Sequence, residues 1–193
     1  MLPAFGRGCT PTVVKVLRGG HPGTLVVMAA HKGGTPAIAL LTDLGVEFTV
    51  HEFHHEAGER NYGQVAAEAL GVEPERVFKT LLAELATEGR AEQVVGIVPV
   101  SGQLALRDLA AAMGGKRAEM CRPDLAERLT GYVVGGISPF GQKKRLRTAI
   151  DETCVLFDTI FVSGGKRGLD IEIAPDVLVH VLDAVVAPIA AER

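Results

Sequence analysis

The sequence GYVVGGISPFGQKKRLR, residues 131–147, brings two adjacent glycines, a proline-stiffened turn and a run of cations into one short stretch. Gly135 and Gly136 have no Cβ, so they reach backbone angles that other residues avoid, and a ligand can approach their amides closely. The cations that follow the turn are Lys143, Lys144, Arg145 and Arg147. Exposed N–H groups beside fixed cations suit a phosphate or a developing oxyanion. A glycine hairpin with a solvated basic flank is the other interpretation of the same residues.

A second stretch, SGGKRGLDIE at residues 163–172, repeats the pattern of a strand end, a double glycine and two cations. It contains Asp170, an acid placed inside an apolar strand pattern. Two such loops in one small domain indicate a shared anionic ligand, because both combine free backbone amides with positive charge.

The charge of the chain is unevenly distributed, although its net value is only −3 over 193 residues. Residues 47–92 carry ten acids against four cations, a net of −6, whereas residues 116–170 carry ten cations against seven acids, a net of +3. A locally basic face on an acidic protein suits a specific anionic ligand better than indiscriminate binding of nucleic acid. The lack of Trp and the presence of only two Tyr also argue against a general stacking surface for single strands.

Length and cysteine usage favour one cytoplasmic domain. Residues 35–193 suffice for a single domain with its own core, and residues 1–34 are expected to be an extension that is either disordered or not a native start. Cys9, Cys121 and Cys154 are odd in number and widely spaced, which argues against disulfides and against a zinc site. We interpret Cys121 and Cys154 as structural. No apolar run approaches the roughly 20 residues that span a membrane.

Hydrophobic periodicity and turn residues predict short helices and strands without regular βαβ spacing. Thr35 and Pro36 begin a helix that Gly45 ends. Further helices are predicted at 61–70, at 106–113, at 123–129 and from Pro175 onward. Strands are predicted at 46–53, 77–86, 93–100, 132–134, 146–150, 159–162 and 169–173. The mixture predicts an α/β (α+β) domain with a mixed, partly closed sheet or barrel and surrounding helices.

Two sets of ionisable residues call for separate interpretations. Lys79 stands inside the strand pattern VFKTLL, and a buried lysine is costly unless its ammonium reaches a ligand or an acid. Lys79 is therefore either a site residue or a residue on the solvent face of its strand. His51, His54 and His55 do not predict a metal site, because successive side chains of an extended strand point to opposite faces. We expect no metal.

Four stretches carry a resemblance to a known family. They are VFKTLL (77–82), PVSGQL (99–104), TGYVVGGISPFGQKKRL (130–146) and VSGGKRGLDIE (162–172). Together they span most of residues 35–190 and resemble the YbaK family of aminoacyl-tRNA deacylases. That family is similar in fold to the editing domain inserted in bacterial prolyl-tRNA synthetases, and it removes the wrong amino acid from the 3′ end of a tRNA.

The resemblance implies a trans-editing deacylase of translation fidelity, a hydrolase or lyase that acts on misacylated Cys-tRNA(Pro) beside prolyl-tRNA synthetase and needs no cofactor. It implies that the thiol of the cysteine substrate attacks its own ester and leaves as a thiolactone. Two alternatives stay open, a deacylase for another small amino acid such as alanine on tRNA(Pro), and a non-catalytic module that binds a tRNA end or a synthetase. The oligomeric state is open as well.

The resemblance also implies a set of site residues. The catalytic positions are Lys79, Gly135, Gly136 and Asp170. Among these, Lys79 holds the terminal nucleotide, Gly135 and Gly136 belong to the substrate loop, and Asp170 lies beside the aminoacyl end. Apart from the resemblance, the backbone N–H groups from Gly135 to Ile137 are suited to stabilise the carbonyl oxygen as charge develops. The implied substrate contacts are Phe53, Thr80, Ile137, Ser138, Ser163 and Gly164. Phe53 stands where the family often has tyrosine, so a hydrogen bond from that hydroxyl is absent here.

Overall fold

The computed structural model describes residues 34–53 and 61–191. The expected extension over 1–34, apart from Gly34, lies outside the described residues, as do His54 and His55. The described residues form an α/β structure in which short helices surround a mixed, curled sheet. The fold class predicted from the sequence is therefore confirmed.

The described part of the chain contains five α-helices. They are α1 (Pro36–Leu44), α2 (Tyr62–Leu70), α3 (Leu106–Ala112), α4 (Pro123–Thr130) and α5 (Pro175–Leu182). The strands are β1 (Thr49–Glu52), β2 (Val77–Ala86), β3 (Ala91–Pro99), β4 (Gln103–Leu104), β5 (Arg117–Met120), β6 (Arg147–Asp151), β7 (Ile160–Lys166), β8 (Leu169–Ile173), β9 (Val185–Ala187) and β10 (Ala190–Ala191). Among the helices described, none has the length and apolarity to cross a membrane.

The main sheet has the strand order β1-β8-β7-β2-β3-β6-β9, and β5 attaches to the side of β2. Antiparallel pairs join β1 to β8, β8 to β7, β2 to β3 and β2 to β5. The pairs β2–β7, β3–β6 and β6–β9 are parallel. Parallel neighbours need long crossover connections, which is why helices and loops wrap the outside of this sheet.

Local capping sets the ends of the first two helices. The Thr35 hydroxyl oxygen accepts a hydrogen bond from the Ile38 N–H at 3.4 Å, and Pro36 occupies the first turn of α1. Gly45 ends α1 and Gly71 ends α2 in the left-handed region, with φ angles of 63° and 68°. Both helices begin and end within one residue of the positions predicted from the sequence.

The prediction of a strand at 132–134 is wrong, because these residues lie in a loop. Tyr132 turns into the core, where its hydroxyl donates a hydrogen bond to the Phe140 carbonyl at 2.9 Å. Its N–H donates to the Thr130 hydroxyl at 3.2 Å. These contacts fold the chain after α4 back on itself, so it cannot extend as a strand.

The remaining strand predictions differ in length and number. The strand predicted over 46–53 is confined to the four residues of β1, and β4, β5, β9 and β10 were not predicted. Strands of two to four residues carry too little alternation to be recognised in sequence, and they form here because longer strands offer them a partner.

The long strand β2 is the centre of the sheet, and it has three neighbours. Along one side, β3 pairs with it from Phe78 to Ala86. On the other side, β7 pairs only with Val77 and Phe78, and β5 pairs only with Ala83–Ala86. Residues 79–81 therefore have no strand partner on that side, and the sheet is forked there.

Alternation along β2 divides its side chains between apolar clusters. Phe78 and Leu82 belong to the largest cluster, which includes residues of α1 and α5. On the opposite face, Val77 packs in a cluster with α2, and Leu85 packs in another with α3. Lys79 shares this second face, so it lies between two apolar clusters beside the fork.

A buried carboxylate holds the C-terminal segment against the sheet. Asp151, at the end of β6, is only 2% exposed. It accepts hydrogen bonds from the N–H groups of Ile189 and Ala190 at 2.9 and 2.7 Å. It also accepts from the N–H and the hydroxyl of Thr153 at 3.1 and 2.6 Å. The carboxylate thus satisfies donors that would otherwise be left unpaired in the interior.

We expect Asp151→Ala to lower the free energy of unfolding by about 3 kcal/mol, because it leaves several buried donors without an acceptor. Urea unfolding followed by circular dichroism measures the change. The exposed Asp158→Ala is the control and should stay within about 0.5 kcal/mol of the wild type. Equal effects of the two substitutions would contradict the assigned role of Asp151.

Candidate active site

The fork in the sheet opens into a cavity of about 400 Å³. Its walls come from β2 at residues 78–82, the start of α2, the loop after α4 and the β7–β8 hairpin. The expected site residues that line it are Phe53, Lys79, Thr80, Gly135, Ile137, Ser163 and Asp170. A concave, largely apolar site with a few converging polar groups is typical of small-ligand binding.

Thr80 presents its backbone polar groups to the fork. The Val77 carbonyl accepts a hydrogen bond from the Val100 N–H, so the backbone groups of Val77 point towards β3. The backbone groups of successive strand residues point to opposite sides, so the N–H and C=O of Thr80 point away from β3, into the gap between β7 and β5. The bond from the Cys121 N–H to the Leu82 carbonyl, at 2.9 Å, agrees with this alternation. The backbone of Thr80 therefore faces the gap rather than a strand.

The Thr80 side chain is also left without a partner. Its hydroxyl oxygen is buried, and no described residue forms a hydrogen bond with it. Such groups are rare in folded proteins, because an unpaired buried hydroxyl costs free energy. The backbone N–H and C=O of Thr80, which face the fork, mark this residue as a place where a ligand can complete the hydrogen bonding.

Lys79 is one of the cations that line the cavity. Its ammonium donates a hydrogen bond to the Gly102 carbonyl at 2.6 Å, and the residue is partly buried. That bond restrains the lysine side chain, which reduces the loss of side-chain freedom when an anion binds. The interpretation of Lys79 as a residue on an open solvent face does not fit this position.

Asp170 contributes a buried carboxyl group on β8. The residue is 7% exposed, and burial raises its pKa from 3.8 to about 7. Desolvation disfavours the charged carboxylate, so the protonated and ionised forms are close in free energy at neutral pH. A group with such a pKa can bind a cation or exchange a proton near neutrality.

The glycine loop reaches the cavity through Gly135, which has a φ of 86°. A Cβ built there would lie 2.7 Å from the ring of Tyr62, so both the backbone angle and the close approach require glycine. The loop thus packs directly on the first residue of α2. This contact brings the glycine amides to the cavity mouth.

Two amides of this loop already have acceptors within the protein. The Val134 N–H bonds the Glu127 carboxylate at 2.8 Å, and the Gly136 N–H bonds the Val133 carbonyl at 2.9 Å. The N–H groups of Gly135 and Ile137 have no acceptor among the described residues. Within the range expected to stabilise a carbonyl oxygen, those two amides remain as donors.

Arg167, in the turn of the β7–β8 hairpin, holds this loop in place. Its guanidinium donates two hydrogen bonds to the Val134 carbonyl at 3.0 and 2.8 Å. The same group lies 4.8 Å from the centre of the Tyr62 ring, within the range of a cation–π contact. Arg167 therefore joins the hairpin, the glycine loop and α2 at the rim of the cavity.

Three of the expected site residues, Gly136, Ser138 and Gly164, are not among the residues that line the cavity. A Cβ at Gly136 would meet the backbone of the β7–β8 turn at 2.9 Å, so this glycine serves close packing. Ser138 is fully buried, and its hydroxyl oxygen accepts the Phe140 N–H at 3.3 Å. Gly164 packs against the Leu169 side chain.

The cation run and the two cysteines can also be compared with their predictions. The cations at 143–147 were expected beside the glycine amides, but none of them lines the cavity, and Arg167 takes that place. Cys121, which we interpret as structural, is partly exposed and lines the cavity where β5 joins β2. Cys154 is buried in the core, as a structural cysteine should be.

Sequence reasoning missed Tyr62, Cys121 and Arg167 as cavity residues. Arg167 had a signal, since it belongs to the second double-glycine stretch. Tyr62 follows the predicted start of a helix, but nothing local places that start against the glycine loop. Cys121 has no local signal, because its position depends on the pairing of β5 with the middle of the chain.

Comparisons with known proteins point to one family. The family model described as "Aminoacyl-tRNA editing domain" matches residues 59–181. The Enterococcus faecalis protein named "Putative Cys-tRNA(Pro)/Cys-tRNA(Cys) deacylase EbsC" is 34% identical over 159 residues, 82% of this chain and 94% of that protein. The Escherichia coli protein named "Multifunctional Ser/Thr-tRNA deacylase ProXp-y" is 31% identical over 130 residues, 66% of this chain and 75% of that protein.

A solved structure supports the fold. It is described as that of "a putative trans-editing enzyme for prolyl tRNA synthetase" and superposes with a TM-score of 0.69 at 23% identity. The match covers 81% of this chain and 95% of the other. At this identity the likeness concerns the fold alone.

Asp170→Asn tests the buried carboxyl through pH. Because the folded-state pKa of Asp170 is raised from 3.8 to about 7, the folded state binds the proton more tightly than the unfolded chain does. The stabilising effect of that proton is complete below pH 4 and is lost as pH rises towards 7. Relative to Asp170→Asn, the wild type should therefore lose about 3 kcal/mol over this window.

Urea unfolding of the wild type and Asp170→Asn from pH 4 to 8 measures this difference. Asp158→Asn, at an exposed position, is the matched control. Parallel stability profiles for Asp170→Asn and the wild type would show that the carboxyl group is not desolvated as described.

Thr80→Val tests the unpaired hydroxyl. Valine has nearly the same shape, so removal of an unsatisfied buried group should raise the free energy of unfolding by about 1 kcal/mol. Thr130→Val is the control, because the equally buried Thr130 hydroxyl donates to the Ala126 carbonyl at 2.8 Å. That change should lower stability by about 1 kcal/mol. If thermal unfolding gave both variants a change in stability of the same sign, this would contradict the assignment of the Thr80 hydroxyl as an unpaired buried group.

Proposed function

The chain belongs to the aminoacyl-tRNA editing domain family, and on that basis we propose that it releases cysteine from misacylated Cys-tRNA(Pro). Deacylation of aminoacyl-tRNA is the activity named for its relatives, and the chain is an aminoacyl-tRNA deacylase that edits in trans. The proposal goes beyond this activity in three respects. The amino acid is cysteine, the tRNA is tRNA(Pro), and the protein acts beside prolyl-tRNA synthetase.

The convergence of Lys79, Gly135 and Asp170 on one cavity carries this proposal. An aminoacyl ester at a tRNA 3′ end presents a phosphate, an ester carbonyl and an α-ammonium within a short distance. A cation, free amides and a carboxyl group complement these groups one for one. In the proposal, the Lys79 ammonium binds the terminal nucleotide and the ionised Asp170 binds the α-ammonium.

The ester is already activated, so positioning and stabilisation of the developing oxyanion suffice for catalysis. In the proposed reaction, the substrate sulfur bonds to the ester carbonyl carbon and the bond from that carbon to the ribose oxygen breaks. The thiol proton passes to the ribose oxygen. The product is a cyclic thioester, which water opens to free cysteine. The Gly135 and Ile137 amides stabilise the oxyanion before the carbon–oxygen bond breaks.

A second candidate is release of serine or threonine. The relative named as a Ser/Thr-tRNA deacylase supports it, and so do the backbone polar groups of Thr80 that face the fork. A site that hydrogen-bonds a substrate hydroxyl can reject analogues that lack it, because its buried polar group is then left unpaired. On this reading, alanine should be a poor substrate, since it offers Thr80 neither a thiol nor a hydroxyl.

Lys79→Ala should reduce release of cysteine from Cys-tRNA(Pro) at least about 100-fold, the usual effect of losing a preorganised electrostatic contact. The measurement is a single-turnover assay with labelled cysteine. Lys116→Ala is the control, because Lys116 is exposed and pairs with Glu88 at 3.3 Å away from the cavity. Wild-type turnover by a folded Lys79→Ala protein would contradict the assignment of Lys79.

A panel of tRNAs charged with cysteine, alanine, serine and threonine distinguishes the candidate substrates. Each should be tested with and without prolyl-tRNA synthetase. Preference for cysteine on tRNA(Pro) supports the proposal, and preference for serine or threonine supports the second candidate. Binding of charged tRNA without release of any amino acid would favour a non-catalytic module.

A further inference from the structure

The cation run after the glycine loop divides between two places in the structure. Arg147 bonds the Glu92 carboxylate at 2.7 Å and the Met113 carbonyl at 2.9 Å. Arg145 lies with it along a shallow second cavity beside β6 and β9. Neither of these arginines lines the candidate active site.

Lys143 and Lys144 lie instead at the C-terminal end of α4. Their backbone N–H groups donate hydrogen bonds to the carbonyls of Thr130 and Leu129 at 3.0 and 3.1 Å. The aliphatic part of Lys143 packs on Gly131, where a Cβ would approach it to 2.9 Å. These contacts fix the backbone of both lysines at the end of α4, so their side chains extend from the same part of the surface.

No carboxylate of the described residues neutralises these cations. Lys143, Lys144 and the nearby Arg128, in the last turn of α4, are exposed, and none forms an ion pair with a described residue. Several other exposed cations pair with carboxylates, namely Lys116, Arg117, Arg122, Arg147 and Lys166. Arg90, Arg107 and Arg145 are exposed and also form no ion pair with a described residue. A cluster of unpaired cations on a protein of net charge −3 is a local positive field that attracts an anion.

The cluster is close to the cavity along the chain. Gly131, which carries the Lys143 contact, is four residues from Gly135 in the cavity wall, so their Cα atoms are at most about 14 Å apart. Between them, Val133 is 51% exposed and Val134 forms part of the cavity wall. Exposed apolar side chains there suit the faces of unstacked bases.

We propose that Lys143, Lys144 and Arg128 form an RNA-binding surface that contacts the phosphates of the single-stranded 3′ end as it enters the cavity. The inference rests on the proposed function, since it names where the rest of the same substrate lies. Phosphates would face the ammonium groups at the end of α4, and the bases would cross Val133 and Val134. The terminal adenosine and its amino acid would occupy the cavity.

Cations at the C-terminal end of a helix also stabilise the helix through its dipole. That role predicts an effect on unfolding and none on RNA. An RNA-binding role predicts the reverse, because exposed lysines contribute little to folding but release counterions when they bind phosphates. Salt dependence of substrate binding therefore separates the two roles.

The test compares the wild type with the double variant Lys143→Gln, Lys144→Gln. The control is Arg90→Gln, Arg107→Gln, which removes the same charge from exposed arginines that do not line the cavity. Two substrates are used, an intact aminoacyl-tRNA and the same amino acid esterified to adenosine alone. KM and kcat are measured at several salt concentrations, and binding of uncharged tRNA is measured by fluorescence anisotropy.

We expect the double variant to raise KM for the aminoacyl-tRNA about tenfold at low salt and to leave kcat unchanged. The slope of log KM against log salt should fall by about 1.4, since each phosphate contact on a single strand contributes about 0.7. Turnover of the adenosine ester should match the wild type. The control variant should match the wild type on both substrates.

A double variant with wild-type KM and salt slope would overturn the surface and leave the deacylase proposal standing. A wild-type protein that cleaves neither substrate would overturn the deacylase proposal instead. In that case the anisotropy measurement decides about the surface, because uncharged tRNA should still bind the double variant more weakly than the control. Equal binding by the two variants would refute an RNA surface, and an acidic protein partner would become the better explanation of the cations.

Discussion

A β-strand has only two hydrogen-bonding sides, and β2 shares one of them between two partners. β7 leaves it after Phe78 and β5 joins it at Ala83, so the backbone between them has no strand to bond. Buried backbone groups are nearly always paired, so backbone polar groups without a partner inside a sheet are unusual. The cavity, the orientation of Thr80 and the access of Lys79 to a ligand all depend on this fork.

The cavity combines groups that the interior normally avoids. Asp170 is buried without enough compensation to keep its pKa low, and Thr80 keeps a hydroxyl without a partner. Both cost stability, and burial of the Asp170 carboxyl becomes favourable when a cationic ligand binds in the cavity. The rest of the fold offsets this cost through large apolar clusters on both faces of β2 and through buried hydrogen bonds such as those that Asp151 accepts.

Arg167 and Lys143 show how similar residues take different tasks. Arg167 uses a planar group with several donors to clamp the Val134 carbonyl while resting on the Tyr62 ring, a geometry that a lysine cannot reproduce. Lys143 presents a single mobile charge to solvent beside α4. The first arrangement suits positioning of a loop, and the second suits contact with an RNA backbone that varies in shape.

The sequence by itself determined the local features and the family. The Thr35 cap, the Gly45 and Gly71 helix ends and the alternation of β2 are readable in a few residues, and both glycine stretches pointed to the site. Tertiary structure alone decided that Gly136 and Gly164 serve packing and that the cation run splits. It also brought Cys121 and Tyr62 to the cavity. Those outcomes depend on strand pairings between distant parts of the chain, such as β2 with β5 and β7, and no local pattern encodes which neighbour a strand will share.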